Sequence, residues 1–488
     1  MPHYTFAKLF LPLQQAAHSH SQIHRWSKGF VFAAAALSCT LAQAAAGRAN
    51  YDADGDGLIE IYTLEDFLSI KDSFSSAKLY GENTGCSNGR CSGYELMADL
   101  DFATMPNAGN ERIPFTLAGF TFDGNHHSIK NLSVSTNRGT YVGLFNTLSD
   151  SIIKNLLIEN VYIKNTQLNY TGALAGLVTK SRIINVDVTG QVAGYHYTGG
   201  LVGVLSTSTV LNCHFSGTIT ALGVGGGLAK GGLIGSSDSS VIYASSSEGQ
   251  FISPSQLNPN FELGGLIGVT WGREIVAASY ARFTNHNVNI IGNFAAVPQL
   301  FVENSYALFD DLNPSAKTAA VIRFYSQGEA QPTKQSYIRT LSPDELKCPR
   351  SSWDERCSVP ALFDGWDKYE DSIGQKVWDF GASGEYPKIR ADLIFDLADS
   401  DNDGVVDVVD RFPKQAAAAV DADRDTKADF FAANCDQTCQ QNSGLQLDDR
   451  LEYTPPTSGP AKPVAGALSI INLVCLMLGV GLFRRSVR

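Results

Sequence analysis

From Tyr141 to about Asn287 one glycine-rich phrase returns at a near-constant interval, and this recurrence restricts the fold more than any local propensity does. Its five copies are Tyr141-Val142-Gly143-Leu144-Phe145, Tyr170-Thr171-Gly172-Ala173-Leu174-Ala175-Gly176, Tyr197-Thr198-Gly199-Gly200-Leu201-Val202-Gly203, Gly231-Gly232-Leu233-Ile234-Gly235 and Gly264-Gly265-Leu266-Ile267-Gly268. The matching positions Gly143, Ala173, Gly200, Gly232 and Gly265 lie 30, 27, 32 and 33 residues apart. A polar turn and a short β-type run follow each of the first four, among them Ile152 to Leu156, Ile183 to Val188 and Val210 to Phe215. These runs are β-branched or alternating and too short for helices. A Gly-Gly pair in most units would cost a helical repeat about 2 kcal/mol.

One such unit cannot cover its own apolar face, whereas stacked units share a core with strands about 4.8 Å apart. The expected fold is therefore all-β, a parallel β-helix or β-solenoid of 27–33-residue repeats. The glycines are expected to relieve crowding and to allow positive φ at the corners. Earlier coils are read at Ile113-Pro114-Phe115 and from Phe120 to Ile129, so the solenoid is placed at 94–310, followed by a C-terminal cap or irregular region at 311–395. Residues 47–93 hold an acidic loop and, between Thr63 and Ser75, a short amphipathic helix with a threonine cap that can close the open end of the stack.

The Gly-Gly-Leu-Ile-Gly phrase resembles the GLUG motif of bacterial surface proteins, adhesins and some secreted peptidases. Asp54-Gly55-Asp56-Gly57-Leu58-Ile59-Glu60-Ile61, Gly93-Tyr94-Glu95-Leu96 with Asp99-Leu100-Asp101-Phe102, and Trp378-Asp379-Phe380-Gly381 with Glu385-Tyr386-Pro387 are similar to segments that accompany such arrays. The resemblance covers roughly Tyr51 to Arg390 and implies a surface location and a β-solenoid, without assigning a ligand.

Two terminal segments point to export. Arg25 and Lys28 precede an apolar run and the small residues Ala42-Gln43-Ala44, so 1–46 reads as a signal peptide. At the other end a Pro-rich linker, 455–463, leads into Val464 to Phe483, whose 20 residues suit a transmembrane helix about 30 Å long. The basic tail 484–488 is expected in the cytoplasm and the bulk of the chain outside it. This linker, span and arginine cluster also resemble a bacterial sorting signal.

The cysteines agree with an oxidising compartment. Of nine cysteines, Cys39 lies in the signal and Cys475 in the apolar span; among the other seven, Cys86 with Cys91, Cys348 with Cys357 and Cys435 with Cys439 form close pairs suited to small disulfide loops, leaving Cys213 single. A net charge of −12 argues against an electrostatic grip on nucleic acid or an anionic lipid surface and favours cations.

The sharpest chemical signal is acidic spacing. Within 396–454, carboxylates at Asp399, Asp401, Asp403, Asp407 and Asp410 occupy positions 1, 3, 5, 9 and 12 around Gly404 at position 6. Calcium takes six to eight oxygens, alternate side chains converge on one centre, and glycine permits the sharp turn. With Pro413 the stretch resembles a thrombospondin type 3 repeat. A second copy, Asp421, Asp423, Asp425 and Asp429, has Thr426 in place of the glycine, and an N-terminal version, Asp52, Asp54, Asp56 and Glu60, has Thr63 at position 12. Calcium is the expected cofactor, with a structural role.

Catalytic motifs are missing from the sequence: it has no Gly-x-Ser-x-Gly, His-Glu-x-x-His or phosphate loop. Asp123, Asp150, Glu159, Asp187 and Glu248 are the carboxylates that a sugar-cleaving β-helix would use, but their spacing does not predict two of them beside a basic residue on adjacent coils. His126-His127 reads as a turn with exposed histidines. The expected function is a non-catalytic, membrane-anchored, calcium-binding surface protein that meets a cell-surface or matrix glycan or protein. A carbohydrate-active β-helix enzyme and a passive spacer are the alternatives.

Overall fold

The computed structural model describes residues 48–447 apart from internal stretches, the longest being 253–261, 309–333 and 348–365. The expected signal 1–46, linker 455–463, span 464–483 and tail 484–488 lie outside the described residues, as do Cys348 and Cys357. No helix among the described residues is long and apolar enough to cross a membrane.

The repeats stack as parallel strands. One ladder runs through Leu58–Ile61, Gly93–Leu96, Thr121–Asp123, the starts of Ile152–Asn165 and Arg182–Gly194, then Thr209–Leu211, Val241–Tyr243, Glu274–Ala277, Leu300–Glu303 and Lys334–Ser336. The glycine phrases feed a second parallel sheet, Phe115–Ala118, Phe145–Ser149, Ala175–Thr179, Val202–Ser206, Ile234–Asp238, Glu262–Thr270 and Asn289–Phe294. The stack thus starts at Leu58 and reaches Leu341, past both edges of the expected 94–310 segment. Short β-runs at its ends lack the glycine phrase, which is why the repeat alone underestimates its length.

Period-2 alternation sends one column inward: Tyr94, Phe122, Ile153, Ile183, Val210, Ile242 and Val276 pair coil to coil and are buried. Each such side chain contributes roughly 1.5–3 kcal/mol of burial. The recurring glycines act by close approach. A Cβ on Gly199 would sit 2.1 Å from the Val202 carbonyl oxygen and one on Gly231 1.8 Å from that of Ile234. They do not supply the corner geometry that was expected of them. Asparagines do: Asn155, Asn185 and Asn212 have φ of 52°, 56° and 52°. Their amides form a ladder, Asn212 donating to Asn185 (3.1 Å), Asn185 to Asn155 (3.0 Å) and Asn155 to Asp123 (3.1 Å). At a neighbouring corner the hydroxyls of Ser181, Ser208 and Ser240 each accept the backbone N–H of the preceding coil's Ser151, Ser181 and Ser208.

The N-terminal helix is shorter than the expected 63–75. It spans Leu64–Leu68, with Thr63 and Asp66 forming a capping box. Leu64, Phe67 and Leu68 join the solenoid core.

The C-terminal segment forms a second layer on the outside of the first ladder. Trp366, Val377, Trp378, Leu393, Val405, Val406 and Phe430 pack with Ile184, Leu211, Tyr243, Ile275 and Tyr280 in one buried cluster. Arg182 Nη1 donates to the Leu397 carbonyl (2.6 Å) and Arg273 Nη1 to that of Ala432 (2.9 Å). Disulfides Cys86–Cys91 and Cys435–Cys439 are formed, and Cys213 is free and buried.

Candidate metal sites

The acidic loops at 52–60 and 399–410 fold alike, because alternate aspartates satisfy the backbone of the turn they belong to. The first carboxylate accepts the N–H five residues on, Gly57 to Asp52 at 3.2 Å and Gly404 to Asp399 at 3.1 Å. The third position accepts from the fifth, Asp56 to Asp54 and Asp403 to Asp401, both at 3.1 Å. The fifth accepts from the seventh, Leu58 to Asp56 and Val405 to Asp403, both at 2.7 Å. Gly57 and Gly404 take φ of 93° and 90°. Each loop thereby brings three carboxylate oxygens within 4.8 Å of one another, from Asp52, Asp54 and Asp56 and from Asp399, Asp401 and Asp403.

Asp399, Asp401, Asp403 and Asp410 each give the turn one oxygen. Asp399 Oδ1, Asp401 Oδ2, Asp403 Oδ2 and Asp410 Oδ2 are buried with no hydrogen-bond partner. Burial, with the charges of Asp410, Asp401 and Asp399 added, pushes the Asp403 carboxyl up to about 8, and burial likewise raises Asp410 to about 7. Burial also raises Asp401. An all-oxygen donor set whose charges are desolvated and crowded is suited to a hard divalent cation.

Asp407 departs from the expected ligand set. It accepts from Ser400 N (2.8 Å) and Ser400 Oγ (2.6 Å), which hold its carboxyl below the usual range, and it stands outside the triplet. In the second copy, Thr426 takes the glycine's place with φ of 75° and donates its N–H to Asp421 (3.2 Å). Asp421 and Asp429 are buried, and Asp423 and Asp425 lie outside the described residues.

The N-terminal loop has a neighbour that its own sequence does not reveal. Asp54, Glu60 and Glu95 form a second triplet, also within 4.8 Å. Glu95 lies directly opposite Glu60 in the parallel pairing of Gly93–Leu96 with Leu58–Ile61. Burial, then Asp56, Asp54, Glu60 and Asp123, push Glu95 up to about 7. The matching Glu in two β-runs on successive coils was the available sequence signal.

The carboxylates considered for sugar chemistry are mostly engaged. Asp123 pairs with Lys154 (2.8 Å), Glu159 with Lys130 (3.3 Å) and Glu248 with Arg282, while Asp150 accepts from Ser149 (2.8 Å). His127 lies 3.3 Å from Asp99. Contrary to expectation, acidic and basic groups do meet on adjacent coils. Asp187 pairs in register with His214, two residues before Ser216, whose partner is Glu248, and Glu248 faces Arg282. Coils of 27 to 34 residues bring these side chains together, an offset hidden in the linear spacing.

Comparison with known proteins places the GLUG motif on residues 194–220. No curated protein matches the sequence. Among solved structures, "a putative immunoglobulin A1 protease from Bacteroides ovatus" aligns over 69% of this chain and 94% of its own, with 17% identity and a TM-score of 0.38.

Proposed function

We propose that this is a non-catalytic, calcium-dependent repeat protein of the bacterial surface, whose solenoid presents a binding face to glycans or proteins of other cells or a matrix. The observation that carries the calcium reading is the set of four buried, unpartnered carboxylate oxygens at Asp399, Asp401, Asp403 and Asp410. Leaving such atoms unmatched costs about 1–3 kcal/mol each, more if charged, which a bound cation would offset. The GLUG match and the parallel solenoid support a surface repeat protein. A half-exposed ladder of stacked tyrosines, Tyr141, Tyr170 and Tyr197 with ring centroids 5.5 and 5.3 Å apart, offers an uncharged strip for contact. Calcium would make the acidic loops rigid and fasten the outer layer. Immobilised full chain should capture cells or glycans in calcium, and capture should fall when the three tyrosines are changed to serine. Unchanged capture would remove the strip from the reading.

A second reading, a carbohydrate-active β-helix, is favoured by the Asp187, His214 and Glu248 cluster. Cleavage of any acidic or neutral polysaccharide that is lost in D187N or E248Q would establish it. No turnover across a polysaccharide panel would leave the non-catalytic reading in place.

A further inference from the structure

We propose that Glu95, on the second coil, completes a divalent-cation site begun by Asp54 and Glu60, so that one ion cross-links the first two coils of the solenoid. This rests on the calcium reading of the N-terminal loop and goes beyond it in naming a ligand from outside the loop. The loop cannot complete itself. Its position 12 is Thr63, whose hydroxyl accepts Asp66 N at 3.1 Å to start the Leu64–Leu68 helix. The missing acid is supplied by the neighbouring coil, where Glu95 brings an oxygen within 4.8 Å of oxygens of Asp54 and Glu60.

Two further features point to an ion. Glu60 and Glu95 are 2% and 6% exposed and stand directly opposite each other, an arrangement of like charges that destabilises a sheet. Glu95 Oε1 is buried without a hydrogen-bond partner, although Asp123, the next residue along the same row, has Lys154 at 2.8 Å. Glu60 is held in place by the Ala53 N–H at 2.6 Å. The donor set is entirely carboxylate oxygen, which selects calcium over softer metals. Ligands from two coils would tie the first strand of the solenoid to the second, where edge fraying otherwise begins.

Calcium titration calorimetry on chelator-treated full chain tests this, comparing the wild type with E95Q, E60Q, the E95Q/E60Q pair and D399N. E95Q should weaken one wild-type site by about tenfold or more, since affinity follows the number of charged ligands. It should leave the site that D399N weakens untouched. E60Q should weaken the same site, and the pair should lose no second one. In chelator, E95Q should melt at or above the wild type, because an uncompensated buried carboxylate has been removed. Wild-type binding with E95Q unchanged in stoichiometry and affinity overturns the cross-link but spares the calcium reading. An E95Q chain that melts lower in chelator also overturns it, marking Glu95 as a structural residue. A wild type that binds no calcium ends both.

Discussion

The acidic loops at 52–60 and 399–410 have the same turn, the same alternate carboxylates and the same left-handed glycine, yet they are finished differently. The C-terminal loop has its own late acid, Asp410, and lies in a layer that packs on the solenoid's flank. The N-terminal loop runs straight into the first strand, where Glu95 from the next coil stands beside it. Identical local geometry can therefore be coupled to different parts of the fold. A cation at 399–410 would fasten an outer layer, whereas one at 52–60 would close an end of the core.

This contrast can be broken at several points. The largest effect is expected from D403N. Burial and the neighbouring carboxylates raise the Asp403 carboxyl, so its charge is disfavoured without metal and the neutral amide should cost the chelator-treated protein little. At calcium a hundredfold or more above its dissociation constant the variant should forgo about 3 kcal/mol of linked stabilisation. Limited proteolysis should find the 397–410 region newly cleaved while the strand spectrum survives. Simultaneous loss of the solenoid spectrum would show that the two regions are not separable.

Arg182 offers a milder cut, since it fastens the outer layer through the Leu397 carbonyl without touching either loop. R182A should weaken docking by about 1.5–3 kcal/mol, seen as faster amide exchange around 397–410 and none around 58–61. Equal exchange in both regions would contradict their independence.

A control lies in neither loop. Glu274 is fully buried, accepts from Ser237, Thr270 and Ser240, and is pushed by burial up to about 8. A carboxyl whose folded pKa exceeds its unfolded one keeps its proton in the folded state. Its stabilising contribution is present below about 4.5 and is lost as pH rises through about 8. E274Q should flatten that decline in melting temperature and be at least as stable as wild type at pH 8. A steeper decline would refute the assignment. The smallest effect is expected at Thr426, a β-branched residue at φ 75°. T426G should stabilise the outer layer by about 1 kcal/mol in thermal melts, and a loss would mean that the threonine side chain contributes more than its strain costs.

Much of this was legible in the sequence. The glycine phrase indicated a parallel solenoid because its recurrence needs a stack, and the D-x-D-x-D-G spacing located both loops. Three things were not legible. The corner role of Asn155, Asn185 and Asn212 shows in the sequence only as a recurring asparagine, whereas glycine is the residue that adopts positive φ most freely. The outer layer was hinted at by unbroken apolar runs such as Val241-Ile242-Tyr243, which signal burial on both faces, yet what covers them is remote in the chain. Glu95 and the Asp187 cluster depend on coil-to-coil register, and a coil length varying by several residues conceals which side chains become neighbours.

Thermal unfolding of the full chain in excess calcium and in chelator, followed by circular dichroism, shows whether the folded protein binds calcium. A strand spectrum is expected in both conditions, with a melting temperature higher by several degrees in calcium, because an ion bound only by the folded state must stabilise it. Identical melting in calcium and chelator would contradict that binding.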